Sequence, residues 1–191
     1  MKHKTVLLVI DLVNDFTRPD GACYYETTGA MMPRVVEFVN QCRERNVYII
    51  WVQQVSETNR PLNTELGSRK KLNCVEGSGG ELLDTRFTVD KERDYLLVKS
   101  RADAFFHTEL EQLLAEQGVE YVLVCGTKTN CCVRASATGA AMRDYKTYIV
   151  SDCVSSNTEE ISRIHLEDMS KYFAKAIDSQ EVLRRLDAGE L

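Results

Sequence analysis

Three residues of different chemistry stand at or just beyond the downstream ends of short apolar runs: Asp11 after TVLLVI, Lys99 after YLLV, and Cys132 beyond the YVLVC run that ends at Cys125. A carboxylate, an amine and a thiol together can attack a carbonyl carbon. The thiolate is the nucleophile, and a neighbouring ammonium or a helix N-terminus lowers the pKa at which it forms. A carboxylate can take the thiol proton and return it to a leaving amine. Each signal also has a plainer reading. An Asp ending a buried strand often serves only the turn, a Lys just past a strand is usually solvated, and a cysteine at a strand–helix junction is more often packing than nucleophile. The chemical reading depends on whether one fold brings all three to the same edge.

The elements that would do so alternate along the chain. Thr5–Ile10, 47–52 (VYIIWV), 95–98 (YLLV), 121–125 (YVLVC) and 147–150 (TYIV) are apolar and rich in β-branched residues. None shows clean apolar/polar alternation, which predicts strands buried on both faces of a parallel sheet. Residues 33–45 place Val35, Val36, Val39 and Cys42 at helical spacing. Residues 108–117 open with the capping-box pattern Thr108-x-x-Glu111, and 130–144 carry small residues (Ala135, Ala137, Gly139, Ala140, Ala141) suited to close packing on a sheet. A helix over 159–171, a last strand over 172–177 and a helix from Gln180 complete the pattern. It predicts a three-layer α/β/α sandwich with a doubly wound, mostly parallel six-stranded sheet, as one domain over residues 1–191. Ligands of such sheets bind at the carboxyl ends of the strands, where Asp11, Lys99 and the turn to Cys132 all fall. The long irregular stretch 56–85 is expected to cover the substrate.

Composition narrows the class further. Hydrophobic residues make up 43% and charged residues 28% of the 191, the balance of an ordinary globular domain. The net charge of −5 gives no support to an extended basic surface, so no nucleic-acid partner is expected. Apolar runs are too short to span a bilayer, and Asp11 ends the first run with no small-residue cleavage site after it. A cytoplasmic protein without a membrane partner is expected. Seven cysteines without a CxxC pair read as free thiols, and His3, His107 and His165 are scattered, so neither metal nor cofactor is expected.

The segment Gly126-Thr127-Lys128-Thr129-Asn130-Cys131-Cys132-Val133 resembles the G-x-x-T-x-x-C-V nucleophile segment of the isochorismatase-like cysteine hydrolases. Val9-Ile10-Asp11-Leu12-Val13-Asn14-Asp15-Phe16 resembles their opening D-x-Q-N-D-F strand and loop, and Lys99-Ser100-Arg101-Ala102-Asp103-Ala104-Phe105 their K-x-R-x-S-A-F segment. Residues 144–152 (DYKTYIVSD) resemble the strand that follows. The resemblance implies a catalytic triad of Asp11, Lys99 and Cys132, the motif spacing selecting Cys132 over its neighbour Cys131. It also implies a cis peptide between Thr127 and Lys128 that aims the Lys128 amide, with that of Cys132, at the oxygen of the attacked carbonyl. One such oxyanion donor is typically worth about 3–4 kcal/mol of barrier. Relatives are commonly homo-oligomers, which implies a dimer or tetramer here.

Departures from the family pattern are also visible. Val13 replaces a common Gln, Asp103 the usual Ser, and Thr138-Gly139 a common Arg-Asp pair. Where nicotinamidases carry a D-x-H metal pair this chain reads Gln53-Gln54-Val55-Ser56, which disfavours that metal-binding subtype. The retained cysteine also argues against vinyl-ether cleavage by an isochorismatase. The reading is a cysteine-dependent amidohydrolase that cleaves the C–N bond of a small carboxamide, ureido or N-carbamoyl compound through a thioester. Phe16, Gln53, Arg101 and Phe105 are expected to bind substrate, since each lies close to a site segment. The alternatives are a non-catalytic interaction protein on the same fold, or a thiol-redox sensor using Cys131 and Cys132.

Overall fold

The computed structural model describes residues 3–56 and 72–191. Its strands are β1 (Thr5–Ile10), β2 (Tyr48–Gln54), β3 (Tyr95–Lys99), β4 (Tyr121–Thr127), β5 (Lys146–Ser155) and β6 (Lys175–Ile177), in the order β3-β2-β1-β4-β5-β6. Every neighbouring pair is parallel. The chain winds outward from β1 in one direction and from β4 in the other. The switch point, where an open parallel sheet offers a crevice, therefore lies between the carboxyl ends of β1 and β4.

The helices are α1 (Asn14–Thr17), α2 (Glu26–Glu44), α3 (Leu110–Gln117), α4 (Arg134–Ala141), α5 (Glu159–Tyr172) and α6 (Ser179–Asp187). Alternate residues of the central strands feed opposite layers. Leu7, Val9, Ile49, Trp51 and Leu123 pack with Met32, Val35, Phe38 and Val39 of α2 and Val182 of α6. Val6, Leu8, Ile10, Ile50 and Val124 pack with Leu110 and Leu114 of α3, Ala137 and Ala140 of α4, and Met169 of α5. Each fully buried Val, Leu or Ile contributes about 1.5–3 kcal/mol, so this double layer holds the strand ends in place.

Burial on both faces explains why β1, β2 and β4 show no alternation. The edge strand β3 departs from it: Leu97 and Lys99 are buried, whereas Leu96 is 46% and Val98 52% exposed, no described helix covering that face at the edge. Other expectations shift at their boundaries. α2 begins at Glu26 and carries Pro33 inside it, so the proline does not mark its start. The Thr108 hydroxyl accepts from Leu110 N (3.3 Å), but Glu111 pairs with Arg143 (2.6 Å) and no capping box forms. The last strand spans only Lys175–Ile177. Among the described residues, no helix is long and apolar enough to cross a membrane.

Candidate active site

Lys99 ends β3 with its side chain fully buried. β2 lies between β3 and β1, and the lysine side chain reaches over it to meet the Asp11 side chain. Its Nζ donates to Asp11 Oδ2 (2.8 Å), Gln54 Oε1 (2.9 Å) and the Arg101 carbonyl (3.1 Å), which uses all three ammonium donors. Gln54 sits opposite Lys99 in the β2–β3 register, which is why its amide meets the amine. Burial works against the charge of Lys99, but Asp11 and then Cys132 outweigh it and hold the amine above its ordinary pKa.

Asp11 leaves β1 with φ 52°, its N–H donating to Val52 O (2.8 Å). Non-glycine residues in this region of φ are uncommon and cluster at functional sites. Its second oxygen, Oδ1, is buried and has no hydrogen-bond partner among the described residues. A carboxylate with one oxygen fixed by an ammonium and the other vacant can accept a proton.

β4 delivers the thiols. Gly126, at φ 114°, lies beside Ile10, and a Cβ there would stand 2.0 Å from the Ile10 carbonyl oxygen. Only glycine lets the two strand ends meet. The Thr127–Lys128 peptide is cis. A π-helical turn, Thr129–Val133, follows and runs into α4, so the helix expected over 130–144 divides in two. The Lys128 carbonyl accepts from both Cys131 N (3.0 Å) and Val133 N (3.1 Å). The Lys128 N–H donates to no group among the described residues, which leaves it available to an oxyanion.

Cys132 lies half-buried beside Lys99 and Asp11, and Cys131 is exposed. The two adjacent thiols compete for one proton, and each shifts the pKa of the other. The bond from Cys132, with the charges of Lys99 and Lys128 and against the cost of burial, lowers Cys131 to about 6. The same bond, together with burial and the Asp11 charge, raises Cys132 well above an ordinary thiol, with Lys99 opposing.

The residues expected to bind substrate fall into different places. Phe16 is buried with Val13 and Cys74. Gln53 points to the opposite face of β2 from Gln54, and its Nε2 donates to Glu81 O (2.6 Å). Arg101 offers its carbonyl to Lys99 while its guanidinium turns back to Ser100 O (2.8 Å). Phe105 is buried against Tyr145 with Arg143 over its ring. Gln54 is the neighbour of Lys99 that sequence reasoning missed.

The segment 80–84 folds back along the loop after Asp11: Val13 bridges Leu83, Asn14 N donates to Leu82 O (2.9 Å) and Asp15 N to Gly80 O (2.9 Å). Of the expected cover, 56–85, residues 56 and 72–85 are described, and 57–71 lies outside the described residues. A cavity of about 530 Å³ adjoins Cys131, bounded by Asn130, Asp103, Arg134 and Arg143. A second, of about 800 Å³ between α2 and α5, contains none of the candidate site residues. Among the described residues no cluster of three His, Cys, Asp or Glu is placed to hold a metal ion.

The pattern of the isochorismatase domain matches residues 5–181. The chain belongs to the isochorismatase family. It is 31% identical over 181 residues to a protein of Arabidopsis thaliana named as a probable inactive nicotinamidase, 91% of each chain being covered. It is 24% identical to the maleamate amidohydrolase of Pseudomonas putida, covering 96% of this chain and 87% of the relative. An isochorismatase-like hydrolase from Alkaliphilus metalliredigens superposes with a TM-score of 0.82 at 26% identity, over 95% of this chain and 98% of the other. The all-parallel sheet flanked by helices is the isochorismatase-like fold, and relatives within the family include hydrolases acting on amides.

Proposed function

We propose that this member of the isochorismatase family is a cysteine-dependent amidohydrolase acting on the C–N bond of a small carboxamide, ureido or N-carbamoyl compound. The observation that carries the reading is Asp11, fixed by Lys99 through Oδ2 and vacant at Oδ1, beside the Cys132 thiol. Asp11 Oδ1 takes the Cys132 proton as sulfur bonds to the carbonyl carbon. The Lys128 and Cys132 amides donate to the resulting oxyanion, whose collapse breaks the C–N bond while Asp11 protonates the departing nitrogen. Water then adds to the thioester carbon and gives a proton to Asp11. The second collapse releases the acid, and the sulfur regains its proton. Lys99 keeps its proton throughout, stabilises the thiolate and orients Asp11.

The test is ammonia release from a panel of small amides and ureido compounds, with mass spectrometry for an acyl adduct on Cys132. Cys132→Ala is expected to abolish turnover while retaining the fold, and Asp11→Ala to abolish it at a cost in stability, because the buried Lys99 ammonium loses its counter-ion. A folded Cys132→Ala variant with full turnover would overturn the mechanism. The name of the Arabidopsis relative favours one other reading, a non-catalytic protein on this fold. It predicts no turnover on any amide and no acyl adduct on Cys132.

A further inference from the structure

Of the seven cysteines only Cys131 is exposed; Cys42, Cys74, Cys125 and Cys153 are buried, and Cys23 and Cys132 lie half-buried. Burial pushes the thiols of Cys42, Cys74, Cys125 and Cys153 up, so none of them holds much thiolate near neutral pH. Cys131 is the opposite case, an accessible thiol lowered by its neighbour Cys132 and by the charges of Lys99 and Lys128. It occupies an x position of the G-x-x-T-x-x-C-V segment, and the proposed hydrolysis gives it no step.

The exposed side of Cys131 opens on a cavity. α4 continues the π-helical turn that holds the thiols, so Ala135 lies one turn beyond Cys131 on the same face, with Thr138 and Gly139 after it. Together with Cys131 these short side chains line a space of about 530 Å³, a usual size for a small-molecule site. Its rim is polar. Asn130 accepts from the Ser156 hydroxyl through Oδ1 (2.7 Å), and its Nδ2 donates to no group among the described residues. Arg134 engages Asp168 and His165, Arg143 engages Glu111 and the Gly139 carbonyl, and each guanidinium has further N–H groups to give. A reactive thiol therefore stands at the edge of a space with room and hydrogen-bond donors for a small polar molecule.

We propose that Cys131 is a site of reversible S-thiolation by a small polar disulfide, one half of which it holds in the adjoining cavity. The Cys131 thiolate attacks one sulfur of R–S–S–R. A new S–S bond forms, the old one breaks, and the second R–S group leaves as a thiolate with the electron pair. The Cys131 sulfur is oxidised and the leaving sulfur reduced, so the step needs no other oxidant and no proton. Excess small thiol reverses it by attacking the mixed disulfide. Cys132 is poorly placed to displace the adduct. Consecutive Cα atoms across a trans peptide stand ~3.8 Å apart, below the ~4.4–6.8 Å that disulfides usually span. The modification therefore stops at Cys131 and leaves Cys132 a thiol, unlike a switch built on a Cys131–Cys132 disulfide. It does not depend on the hydrolase reading.

The experiment incubates the native protein at pH 7 with oxidised glutathione, whose halves are polar and large, or with hydroxyethyl disulfide, whose halves are small. Intact mass and peptide mass spectrometry are expected to show a single adduct per chain, on Cys131. It should form at least about 10-fold faster than on any other cysteine, and dithiothreitol should remove it. An adduct formed first on Cys132, a Cys131–Cys132 disulfide with no adduct retained, or no adduct at all would each overturn the site. Ala135→Phe fills the cavity from the neighbouring turn and changes no thiol. It is expected to slow modification by oxidised glutathione about 10-fold and that by hydroxyethyl disulfide less than about threefold. The small reagent thus reports that the fold and the thiol are intact. Unchanged rates with oxidised glutathione, or equal slowing with both reagents, would refute the cavity as the seat of the adduct. Ammonia release plays no part in these readouts, so a failure of the hydrolase reading is seen separately.

Discussion

Lys99 and Asp11 are joined by a 2.8 Å ion pair that crosses the intervening strand β2, and neither side chain reaches solvent. Moving two charges out of water is costly, and the pair persists because its ammonium has a full set of acceptors. Removing one partner strands the other. Lys99→Met is expected to destabilise the fold by about 3–5 kcal/mol, because Asp11 is left buried and unpaired. The double variant Asp11→Asn/Lys99→Met should recover part of that loss, since no lone charge remains. Urea titration of the four proteins gives the coupling, and additive losses would show that the pair is not the source of the cost. Both variants should lose turnover, which separates the pair's chemical role from its structural one.

Gln54 supplies the second acceptor of Lys99 at 2.9 Å. Gln54→Leu removes it, and a charged donor left short of a partner in a buried site costs about 1–3 kcal/mol. Gln53→Leu instead removes the bond to Glu81 O on the other face of β2. The expected outcome is that Gln54→Leu lowers kcat more than Gln53→Leu at similar stability. The reverse order would assign the substrate-side role to Gln53.

The thiol pair gives a pH signature. In the wild type one thiol of the pair, Cys131, is lowered to about 6 while Cys132 is held above the ordinary range by its bond to Cys131. Iodoacetamide labelling of Cys131 should therefore rise through pH 6 and level off, well below the ~8.5 of a free thiol. Cys131→Ala removes the largest cause of the upward shift at Cys132 and leaves Lys99 beside it. Labelling of Cys132 should then begin at lower pH than in the wild type. Peptide mass spectrometry resolves the two sites, and an unchanged Cys132 profile in Cys131→Ala would contradict the coupling.

The sheet and its order of elements were legible because both-face burial leaves continuous apolar runs, and the β1 run coincides with the strand itself. The polar strand ends were less visible. β2 continues through Gln53 and Gln54 and β4 through Thr127, beyond the last apolar residue, because strand ends that face a site leave the core. Pattern alone could not say which of two adjacent glutamines meets Lys99. The β2–β3 register decides it, by pairing Gln54 with Lys99.

Asp103 and Gly139 meet at one close contact. A Cβ at Gly139 would stand 2.7 Å from Asp103 Oδ1, so the Asp103 carboxylate occupies space that a larger residue at 139 would need. Asp103 there accepts from Phe105 N (2.9 Å), and Ala104 N donates to the buried Ser136 hydroxyl of α4 (3.0 Å). The bond to Ser136 ties the loop that follows Lys99 to the helix that follows Cys132. Gly139→Asp alone is expected to destabilise by about 1–3 kcal/mol through overpacking and like charge. Asp103→Ser/Gly139→Asp, which exchanges the two positions, should restore most of it. Thermal denaturation of the single and double variants measures the cycle, and strict additivity would separate the two departures.

Asp84 anchors the segment that folds over the loop after Asp11. It is almost fully buried, and its carboxylate accepts from Thr17 Oγ1 (2.6 Å) and from Arg86 Nε (2.8 Å) and Nη2 (2.7 Å). Burial alone would raise its pKa, but the hydrogen bonds from Arg86 and Thr17 and the Arg86 charge prevail and lower it well below the usual carboxylate range. The folded protein thus holds fewer protons at this site than the unfolded chain, whose Asp titrates near ~3.9. The stabilisation is therefore complete above that value and is lost as pH falls toward the lower folded pKa. Asp84→Asn is expected to cost about 1–3 kcal/mol at pH 7 by weakening the bonds to Arg86 and Thr17. The gap between wild type and Asp84→Asn should stay constant from pH 7 to 5 and narrow below pH 4. Urea midpoints of both proteins across that range measure it, and a gap that widens on acidification would reverse the assigned sign.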